Sequence, residues 1–324
     1  MSRALGLLSG GLDSSLAAMC LMRQGIAVTA IAFVTPFFGA GKARRSAEQI
    51  GIPLIVRDIG AIHLEMVKHP HYGYGKNLNP CIDCHAMMFR IAGELMVADG
   101  FDFLFSGEVL GQRPMSQNLS ALRAVANYSG HPERILRPLS ARRLPVTPME
   151  EQGLVDRAQL LDIQGRSRRP QELLAKAWGL TDYPASGGGC LLTEKSFTGR
   201  LRDLFTHQPD CVPRDVELLK IGRQFRLSPQ ARLAIGRNQQ DNEALRESAG
   251  SADLLLRCLG FSGPLGVLSG APQAVDLETA AAIVAGYGKG SHEAWVEVLV
   301  CGVGEEFTVR VQPCPLETSR AWLL

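Results

Sequence analysis

Short apolar runs alternate with helical patterns through the first two fifths of the chain. The runs are rich in Val, Ile, Leu and Phe, which is typical of strands that are covered on both faces. They lie at Ala4–Leu8, Ile26–Val34, Leu54–Arg57 and Phe101–Phe105. The helical patterns lie at Leu12–Gln24, Lys42–Ile50, Cys81–Asp99 and Ser116–Asn127. This alternation predicts an α/β fold built on a doubly wound parallel sheet.

The composition places few limits on the partners of the protein. The chain has 324 residues, enough for two domains, and a formal net charge of +2, so a nucleic-acid surface would need local clusters of charge. Its apolar runs are far shorter than the roughly 18 residues of a membrane span, and no signal-peptide pattern is present. We therefore expect a cytoplasmic protein with no membrane partner. Eight cysteines in so long a chain fit a reducing compartment.

A loop rich in glycine and serine follows the first predicted strand, in the stretch "LLSGGLDSS". Gly10 and Gly11 allow backbone N–H groups to approach an anion closely, and the helix that follows adds positive potential at its N-terminus. Hydroxyls of Ser9, Ser14 and Ser15 add further donors. Asp13 would repel a phosphate unless a cation such as Mg²⁺ lay between them. The loop therefore predicts a phosphate site; the alternative is a glycine turn with an Asp/Ser helix cap.

The string "SGGLDSS" resembles the PP-loop of the ATP pyrophosphatases, and Ser9, Gly10, Gly11, Asp13 and Ser14 match that motif position by position. The resemblance implies a fold of the adenine nucleotide alpha hydrolase type. It also implies that the loop grips the pyrophosphate of ATP while a substrate oxygen attacks the α-phosphorus. Asp13 would then be catalytic through Mg²⁺, Ser15 would join the ATP site, and the second strand would end beside the adenine, near Phe33 and Thr35.

A second stretch, "FSGEVLGQRPMSQNL" at residues 105–119, resembles the motif that follows a strand in tRNA 4-thiouridine synthetase. The residues that align are Gly107, Glu108, Leu110, Gly111, Gln112, Ser116 and Gln117. The resemblance implies that Gly107 and Gln112 belong to the ATP site. The alternative is an ordinary loop between a strand and a helix, capped by Ser116.

Three cysteines form the third pattern. "NPCIDCH" places Cys81 and Cys84 one turn apart at a helix start, where the helix N-terminus lowers thiol pKa values, and Cys190 follows three glycines in "SGGGCLL". This set resembles the cluster-dependent tRNA thiolases, which implies a 4Fe–4S cluster held by Cys81, Cys84 and Cys190, with one open iron to deliver sulfide. Cys84 and Cys190 are the predicted catalytic thiols.

Other uses of these cysteines remain open from the sequence. Zinc could bind the same three thiols with His85 or water, since structural zinc sites are usually four-coordinate. Cys84 and Cys190 could instead form the persulfide and disulfide pair of the cluster-free thiolases. The thiols could also be buried core residues. The other five cysteines have isolated spacings and are predicted to be structural: Cys20, Cys211, Cys258, Cys301 and Cys314.

Arginine clusters recur after the predicted site. "GRSRRPQ" contributes Arg166, Arg168 and Arg169, and clustered arginines suit contacts to phosphate. A solvated charged face is the alternative for such a run. Because the clusters follow an adenylating site, they favour RNA as the partner. The loop "HPHYGYGKNLNP" at residues 69–80 is either a lid over the site or a solvated connector.

The last third of the chain has a different pattern. "RLAIGRNQQDNEAL" at residues 232–245 resembles the signature of the NFACT-R domain, a small α+β RNA-binding module. The resemblance implies RNA contacts at Arg237 and Asn238. We predict a PP-loop catalytic domain at residues 1–205 and the NFACT-R-like domain at residues 213–324. The alternative is a structural or dimerisation domain.

Together these patterns predict an ATP-dependent tRNA sulfurtransferase. ATP would adenylate a uridine carbonyl oxygen, and sulfur would then displace AMP, with 4-thiouridine favoured over 2-thiouridine. The expected cofactors are ATP, Mg²⁺ and a 4Fe–4S cluster. The expected partners are tRNA, a sulfur donor (sulfide or a cysteine desulfurase) and a second copy of the chain in a homodimer. The alternatives are a sulfur transferase for a non-RNA cofactor or metabolite, and a non-catalytic RNA-binding protein.

Overall fold

The computed structural model describes residues 1–185, 189–302 and 304–324. Contacts divide the chain into two compact units, Met1–Thr193 and Glu194–Leu324. The sequence placed residues up to 205 in the first domain, whereas the helix at Lys195–His207 belongs to the second unit. Arg226 of that unit binds Asp203 on this helix at 2.7 Å.

The first unit contains a five-stranded parallel sheet in the order β3-β2-β1-β4-β5. Its strands are β1 (Arg3–Leu7), β2 (Ala27–Val34), β3 (Leu54–Asp58), β4 (Phe103–Ser106) and β5 (Ile135–Leu136). Its helices are α1 (Leu12–Met22), α2 (Gly41–Ile50), α3 (Gly60–Lys68), α4 (Cys81–Asp99), α5 (Leu119–Tyr128), α6 (Pro148–Glu151) and α7 (Arg169–Trp178). Short 3-10 turns lie at Ala141–Arg143, Arg157–Gln159 and Leu191–Thr193.

Helices cover both faces of this sheet because its strands are apolar on both sides. Ala4 of β1 packs into a core with α1 and α7, whereas the next residue, Leu5, packs into a second core with α4 and α5. Both residues are fully buried. The predicted doubly wound α/β fold is therefore confirmed.

The second unit contains a six-stranded antiparallel sheet in the order β11-β10-β8-β9-β7-β6. Its strands are β6 (Arg223–Ser228), β7 (Ala231–Ile235), β8 (Leu254–Cys258), β9 (Gly266–Gly270), β10 (Val296–Cys301) and β11 (Glu306–Val311). Its helices are α8 (Lys195–His207), α9 (Pro213–Leu218), α10 (Gln239–Ser248), α11 (Ala274–Gly286) and α12 (Leu316–Ser319), and a 3-10 turn lies at Arg320–Trp322. The predicted α+β character of this part is confirmed.

The two faces of the antiparallel sheet carry separate cores. Ile283 and Val284 of α11 pack with Leu256 and Val298 on one face. Leu245 of α10 packs with α9 on the other face. Within the described parts of both units, no helix is long and apolar enough to cross a membrane.

Candidate active site

The carboxyl ends of three neighbouring strands meet at one edge of the parallel sheet. Leu7 of β1 pairs with Ile31 of β2 on one side and with Ser106 of β4 on the other. The strand order reverses between β1 and β4, and ligands of such sheets bind in the crevice at that reversal. The glycine-serine loop after β1 (the PP-loop, residues 9–15) and the loop after β4 (the post-β4 loop, residues 107–118) flank this crevice.

Gly10 gives the PP-loop its path. Its φ of +73° lies in the left-handed region, and a Cβ built on it would lie 2.2 Å from the backbone carbonyl carbon of Lys42. Gly11, the residue just before α1, is extended, and none of the described side chains caps the helix. The first N–H groups of α1 therefore remain available to an anion at the crevice.

The three serines of the loop do different things. Ser9 Oγ lies 3.3 Å from Ser14 Oγ, and Ser14 also donates to the Gly11 carbonyl at 2.9 Å. Ser15 is buried, and its hydroxyl bonds with the Gly11 carbonyl at 3.0 Å and with Ser46 Oγ of α2 at 2.6 Å. Ser15 therefore joins α1 to α2, while Ser9 and Ser14 form a hydroxyl pair within the loop.

Asp13 joins the PP-loop to the post-β4 loop. Gln112 donates its side-chain amide to Asp13 Oδ2 at 2.9 Å. Gly107 packs directly on the same loop, since a Cβ there would lie 2.4 Å from the Asp13 carbonyl carbon. Asp13 Oδ1 and Gln112 Oε1 are both buried without a partner among the described residues. Two unsatisfied oxygen acceptors thus lie in the crevice between the two motifs.

Phe33 and Thr35, predicted to lie by the adenine, are placed at the end of β2. Phe33 is buried in the core with α4, and Thr35 is also buried. Thr35 Oγ1 accepts from the Phe37 and Phe38 amides at 3.1 and 3.3 Å, so it forms the turn after β2. What this position presents to the crevice is therefore mainly backbone.

Cys81 and Cys84 lie in the first turn of α4. Cys81 Sγ donates to Asn79 Oδ1 at 3.1 Å, and Cys84 Sγ lies 3.2 Å from His63 Nε2. Burial raises the pKa of Cys81, and burial followed by negative charge at Cys190, Cys81 and Asp83 raises the pKa of Cys84 well above its ordinary value. The predicted lowering of these pKa values is wrong, because burial outweighs the helix N-terminus.

Cys190 is brought to the same region although it is distant in sequence. Its charge contributes to raising the pKa of Cys84, so the two thiols lie within electrostatic range of each other. Leu191 donates its amide to the Phe37 carbonyl at 3.3 Å, and Leu78 donates to the Leu192 carbonyl at 3.3 Å. The segment after Cys190 is thus held between the loop after β2 and the loop at residues 69–80. Two of the three glycines that precede Cys190, at positions 187 and 188, lie outside the described residues.

The donors at the crevice can be compared with the predicted metals. The buried, unpartnered Asp13 Oδ1 is a carboxylate oxygen of the kind that Mg²⁺ binds. The three cysteines supply the donor set of an iron–sulfur cluster with three protein ligands. No group of three or more His, Cys, Asp or Glu side chains within the described ranges is arranged to hold a metal ion. The cluster and the zinc alternative therefore both remain predictions.

His63 is a residue that the sequence did not single out. It is fully buried on α3, between the rings of Phe37 and Phe38 at centroid distances of 5.5 and 5.4 Å. Burial lowers the pKa of His63 to about 4, so the ring is neutral at pH 7. A single histidine outside any motif gave no signal of its contact with Cys84.

A buried carboxylate network lies beside the cysteine pair. Glu108 of the post-β4 loop accepts from His85 Nδ1 at 2.8 Å, from Arg137 Nε at 2.9 Å and from Ser106 Oγ at 3.0 Å. Burial raises the pKa of Glu108, but the charges of Arg137 and His85 outweigh it and hold that pKa at about 2. The ionised carboxylate therefore fixes the imidazole next to Cys84. The motif contained Glu108, whereas its partners follow only from the fold.

Lys42 is a second residue that the sequence did not place in the site. Its backbone packs against Gly10, and a Cβ built on Gly189 would lie 3.8 Å from Lys42 Nζ. The side chain is exposed at the N-terminus of α2. A cation therefore lies between the PP-loop and the segment that carries Cys190.

The predicted RNA contacts lie in both units. Gly165 donates its amide to the Leu110 carbonyl at 2.7 Å, so the segment with Arg166, Arg168 and Arg169 begins beside the post-β4 loop. Arg166 and Arg169 are exposed, and Arg168 is half-buried. In the second unit Arg237 pairs with Asp241 at 2.7 Å, and Asn238 accepts from the Asp241 amide as the cap of α10.

Comparison with known families gives two matches along the chain. Residues 1–143 match the family model described as thiamine biosynthesis protein (ThiI). Residues 222–323 match the model NFACT-R_2, described as NFACT protein RNA binding domain. The first match contains the PP-loop, the cysteine pair and the post-β4 loop, and the second contains Arg237 and Asn238.

Individual relatives are similar over part of their length. The probable tRNA sulfurtransferase of Staphylococcus aureus strain MRSA252 is 32% identical over 144 residues, which cover 42% of this chain and 34% of the relative. The protein of the same name from strain Newman gives the same identity and coverage. This chain spans about a third of the length of these curated relatives.

Solved structures are more distant. The crystal structure of a 4-thiouridine synthetase in complex with RNA and bound ATP is 19% identical, covers 67% of this chain and 53% of that chain, and has a TM-score of 0.41. The C-terminal part of the fibronectin/fibrinogen-binding protein from Streptococcus suis is 15% identical, covers 41% of this chain and 64% of that chain, and has a TM-score of 0.30. The family models therefore give the broadest similarity: residues 1–143 match the ThiI model, and residues 222–323 match the NFACT-R_2 model.

Proposed function

We propose that this protein is an ATP-dependent tRNA sulfurtransferase that activates a uridine carbonyl oxygen and replaces it with sulfur. One observation carries the proposal: the post-β4 loop contacts both halves of the chemistry. Gln112 binds Asp13 of the PP-loop at 2.9 Å, and Glu108 binds His85, the neighbour of Cys84, at 2.8 Å. Nucleotide activation and sulfur transfer would therefore share one crevice.

In the first step the PP-loop binds the pyrophosphate part of ATP. The free N–H groups at the start of α1 and the hydroxyls of Ser9 and Ser14 donate to phosphate oxygens. Asp13 Oδ1 would hold Mg²⁺, which supplies positive charge to the leaving pyrophosphate. The uridine oxygen attacks the α-phosphorus, an oxygen–phosphorus bond forms, and pyrophosphate departs.

In the second step sulfur attacks the carbon that now carries AMP. A carbon–sulfur bond forms, the bond from that carbon to the AMP oxygen breaks, and AMP leaves with the electron pair. Cys81, Cys84 and Cys190 would hold the 4Fe–4S cluster, whose open iron would supply a binding position for sulfide. Sulfur from a cysteine desulfurase would arrive as a persulfide, and a thiol reductant would have to supply two electrons to release it as sulfide. In the persulfide alternative, Cys84 and Cys190 end as a disulfide, and a thiol reductant must reopen it.

The proposed product is 4-thiouridine, because the post-β4 loop resembles the motif of the 4-thiouridine synthetases. A second acceptor is favoured by one finding, since the matching family model is described as a thiamine biosynthesis protein. That finding fits sulfur delivery to a small cofactor precursor by the same PP-loop and cysteines. The homodimer expected from the sequence remains a prediction.

The test is to incubate the anaerobically purified full chain with ATP, MgCl₂ and transfer RNA, and to identify the nucleotide products. We expect AMP and pyrophosphate, released faster when tRNA is added. ADP as the main product would contradict the proposal, because it would indicate phosphoryl transfer from the γ-position. Release that tRNA does not accelerate would favour the non-RNA acceptor.

A further inference from the structure

A polar cavity of about 430 Å³ opens in the second unit, at one end of the antiparallel sheet. Three strand ends meet there: Arg223 at the start of β6 pairs with Ile235 at the end of β7, which pairs with Gly266 at the start of β9. The cavity volume lies within the range of about 300–1,000 Å³ that is usual for small-ligand sites. The place and size of the cavity fit a ligand as large as one nucleotide.

Positive charge on the cavity wall exceeds negative charge. Arg223, Arg237 and Lys289 all line the cavity, and Lys289 is exposed. Arg237 is paired with Asp241 at 2.7 Å, whereas Arg223 and Lys289 form no ion pair with any carboxylate in the described part of the chain. Two cations therefore remain for an anionic ligand, and phosphate is the anion that such a set suits.

A flat surface lies next to these charges. The Arg223 guanidinium lies 4.8 Å from the centroid of the Tyr287 ring, which also lines the cavity. The guanidinium is planar, and the ring packs against it. Planar arginines and aromatic rings are the surfaces on which unpaired RNA bases stack.

Glycines and a side-chain hydrogen bond fix the segments that line the cavity. Asn242 accepts from the Leu265 amide at 3.0 Å, which ties α10 to the loop between β8 and β9. A Cβ on Gly236 would lie 2.1 Å from Asn242 Oδ1, so only glycine permits that contact. Gly263 and Gly288 also touch, since a Cβ on Gly263 would lie 3.2 Å from Gly288 Cα. The cavity is therefore a built feature of the fold.

From these observations we propose that the cavity binds one unpaired nucleotide of RNA, with its base on Arg223 and its phosphate at Lys289. The inference rests on the proposed function in one respect, the identification of the RNA as tRNA. It adds a binding position in the second unit that contacts RNA by base stacking as well as by charge.

The test measures binding of fluorescently labelled single-stranded RNA and of tRNA by the full chain and its variants. Arg223→Ala should weaken binding of both by about 5- to 150-fold, the range for loss of one stacked base. Arg223→Lys should remain weak, because lysine keeps the charge without the plane. Lys289→Ala, on an exposed side chain, should lower affinity and reduce the salt slope by about one.

Arg310→Ala is the matched control. Arg310 also stacks on an aromatic ring, 5.3 Å from the Trp295 centroid, but it lies on β11, at the opposite edge of the sheet from β6. We expect this variant to bind as the unmodified chain does. Equal loss in Arg310→Ala and Arg223→Ala would overturn the proposal, and so would unchanged binding in both Arg223→Ala and Lys289→Ala.

Two further measurements distinguish RNA binding in the cavity from binding of a free nucleotide and from the proposed sulfurtransferase activity. Free uridine or adenosine monophosphate should compete with the RNA only weakly; competition at the same concentration as the oligonucleotide would assign the cavity to a free nucleotide instead. Pyrophosphate release from ATP is measured in parallel. Loss of RNA binding in Arg223→Ala would support the cavity even if the chain released no pyrophosphate, so the two proposals fail independently.

Discussion

Asp13 is the side chain on which nucleotide activation depends most directly. One of its oxygens is held by Gln112, and the other is buried without a partner among the described residues. Asp13→Asn should keep the hydrogen bond to the loop but lose the charge for Mg²⁺, and we expect pyrophosphate release to fall by about 10²- to 10³-fold. Asp99→Asn, at the exposed end of α4, is the control. Pyrophosphate release at the unmodified rate in Asp13→Asn would contradict a role for the PP-loop in ATP activation.

Lys42 should contribute to ATP binding through charge. The geometry places its ammonium between the PP-loop and the Cys190 segment, and a contact from a charged donor to phosphate is worth about 1.5–3 kcal/mol. Lys42→Ala should therefore raise the KM for ATP by about 10- to 150-fold. Arg44→Ala is the matched control, because Arg44 is exposed two residues further along the same helix. Equal KM values for the two variants would show that Lys42 does not reach the nucleotide.

Glu108 should make the stability of the first unit depend on pH in the acid range. Its pKa is about 2 in the fold against an ordinary value of 4.5, so the ionised form stabilises the folded state. That stabilisation is complete above pH 4.5 and is lost as the pH falls from 4.5 towards 2. Urea unfolding at pH 6, 4 and 3 should show a steeper acid loss in the unmodified chain than in Glu108→Gln. Glu94→Gln, on the exposed face of α4, should follow the unmodified chain; identical pH curves for all three would contradict this assignment.

Among the structural elements, the contact between the PP-loop and the post-β4 loop sets the geometry of the crevice. Gly107→Ala would place a Cβ 2.4 Å from the Asp13 backbone, so the PP-loop would have to shift. We expect loss of ATP binding and destabilisation, measured by nucleotide titration and thermal unfolding. Gly199→Ala on α8 is the contrasting change, since a Cβ there would meet nothing within 4 Å. It should stabilise the chain by about 0.5–1 kcal/mol. A Gly107→Ala chain with normal ATP affinity would show that the two loops move independently.

The elements that could be predicted were those with a strong local signal. The apolar runs predicted β1, β2 and β4, and the glycine loop predicted the start of α1. Helix α5 begins at Leu119 and not at Ser116, because the Asn118 side chain caps it by accepting from the Ala121 amide. Helix α3 was missed, since its short apolar pattern follows Asp58, which accepts from the Gly60 amide. Local patterns do not decide such ends when several polar residues compete to cap a helix.

Some residues of the candidate site could be predicted from the sequence and others could not. Asp13, Cys81, Cys84 and Gln112 could be proposed because each lies in a short motif. The contact of His63 with Cys84 and the position of Lys42 depend on how distant segments pack. The pKa values of the thiols also depend on packing, because burial opposes the effect of the helix N-terminus that the sequence suggested. The reactive groups are therefore visible in the sequence, whereas their environment depends on the fold.

For the whole molecule, the proposed chemistry lies in one compact unit and the match to the NFACT-R_2 model lies in the other. The PP-loop, the post-β4 loop and all three site cysteines lie within Met1–Thr193, and the NFACT-R_2 match lies within Glu194–Leu324. A chain that ends at Thr193 should fold and release pyrophosphate slowly with free ATP, while its tRNA affinity should fall and depend less steeply on salt. Equal affinity of the shortened and full chains for tRNA would contradict an RNA-binding role for the second unit.

Sulfur transfer to tRNA is measured by nucleoside mass spectrometry of tRNA incubated anaerobically with the full chain, ATP, MgCl₂ and sulfide. We expect a uridine in which one oxygen is replaced by sulfur, formed by the unmodified chain and by the control Cys314→Ser. Cys190→Ser should release AMP and pyrophosphate without forming thiouridine, because only the second step needs the thiol. Thiouridine formed by Cys190→Ser at the unmodified rate, or ATP cleaved by the unmodified chain with no thiouridine formed, would contradict sulfur transfer to tRNA through these cysteines.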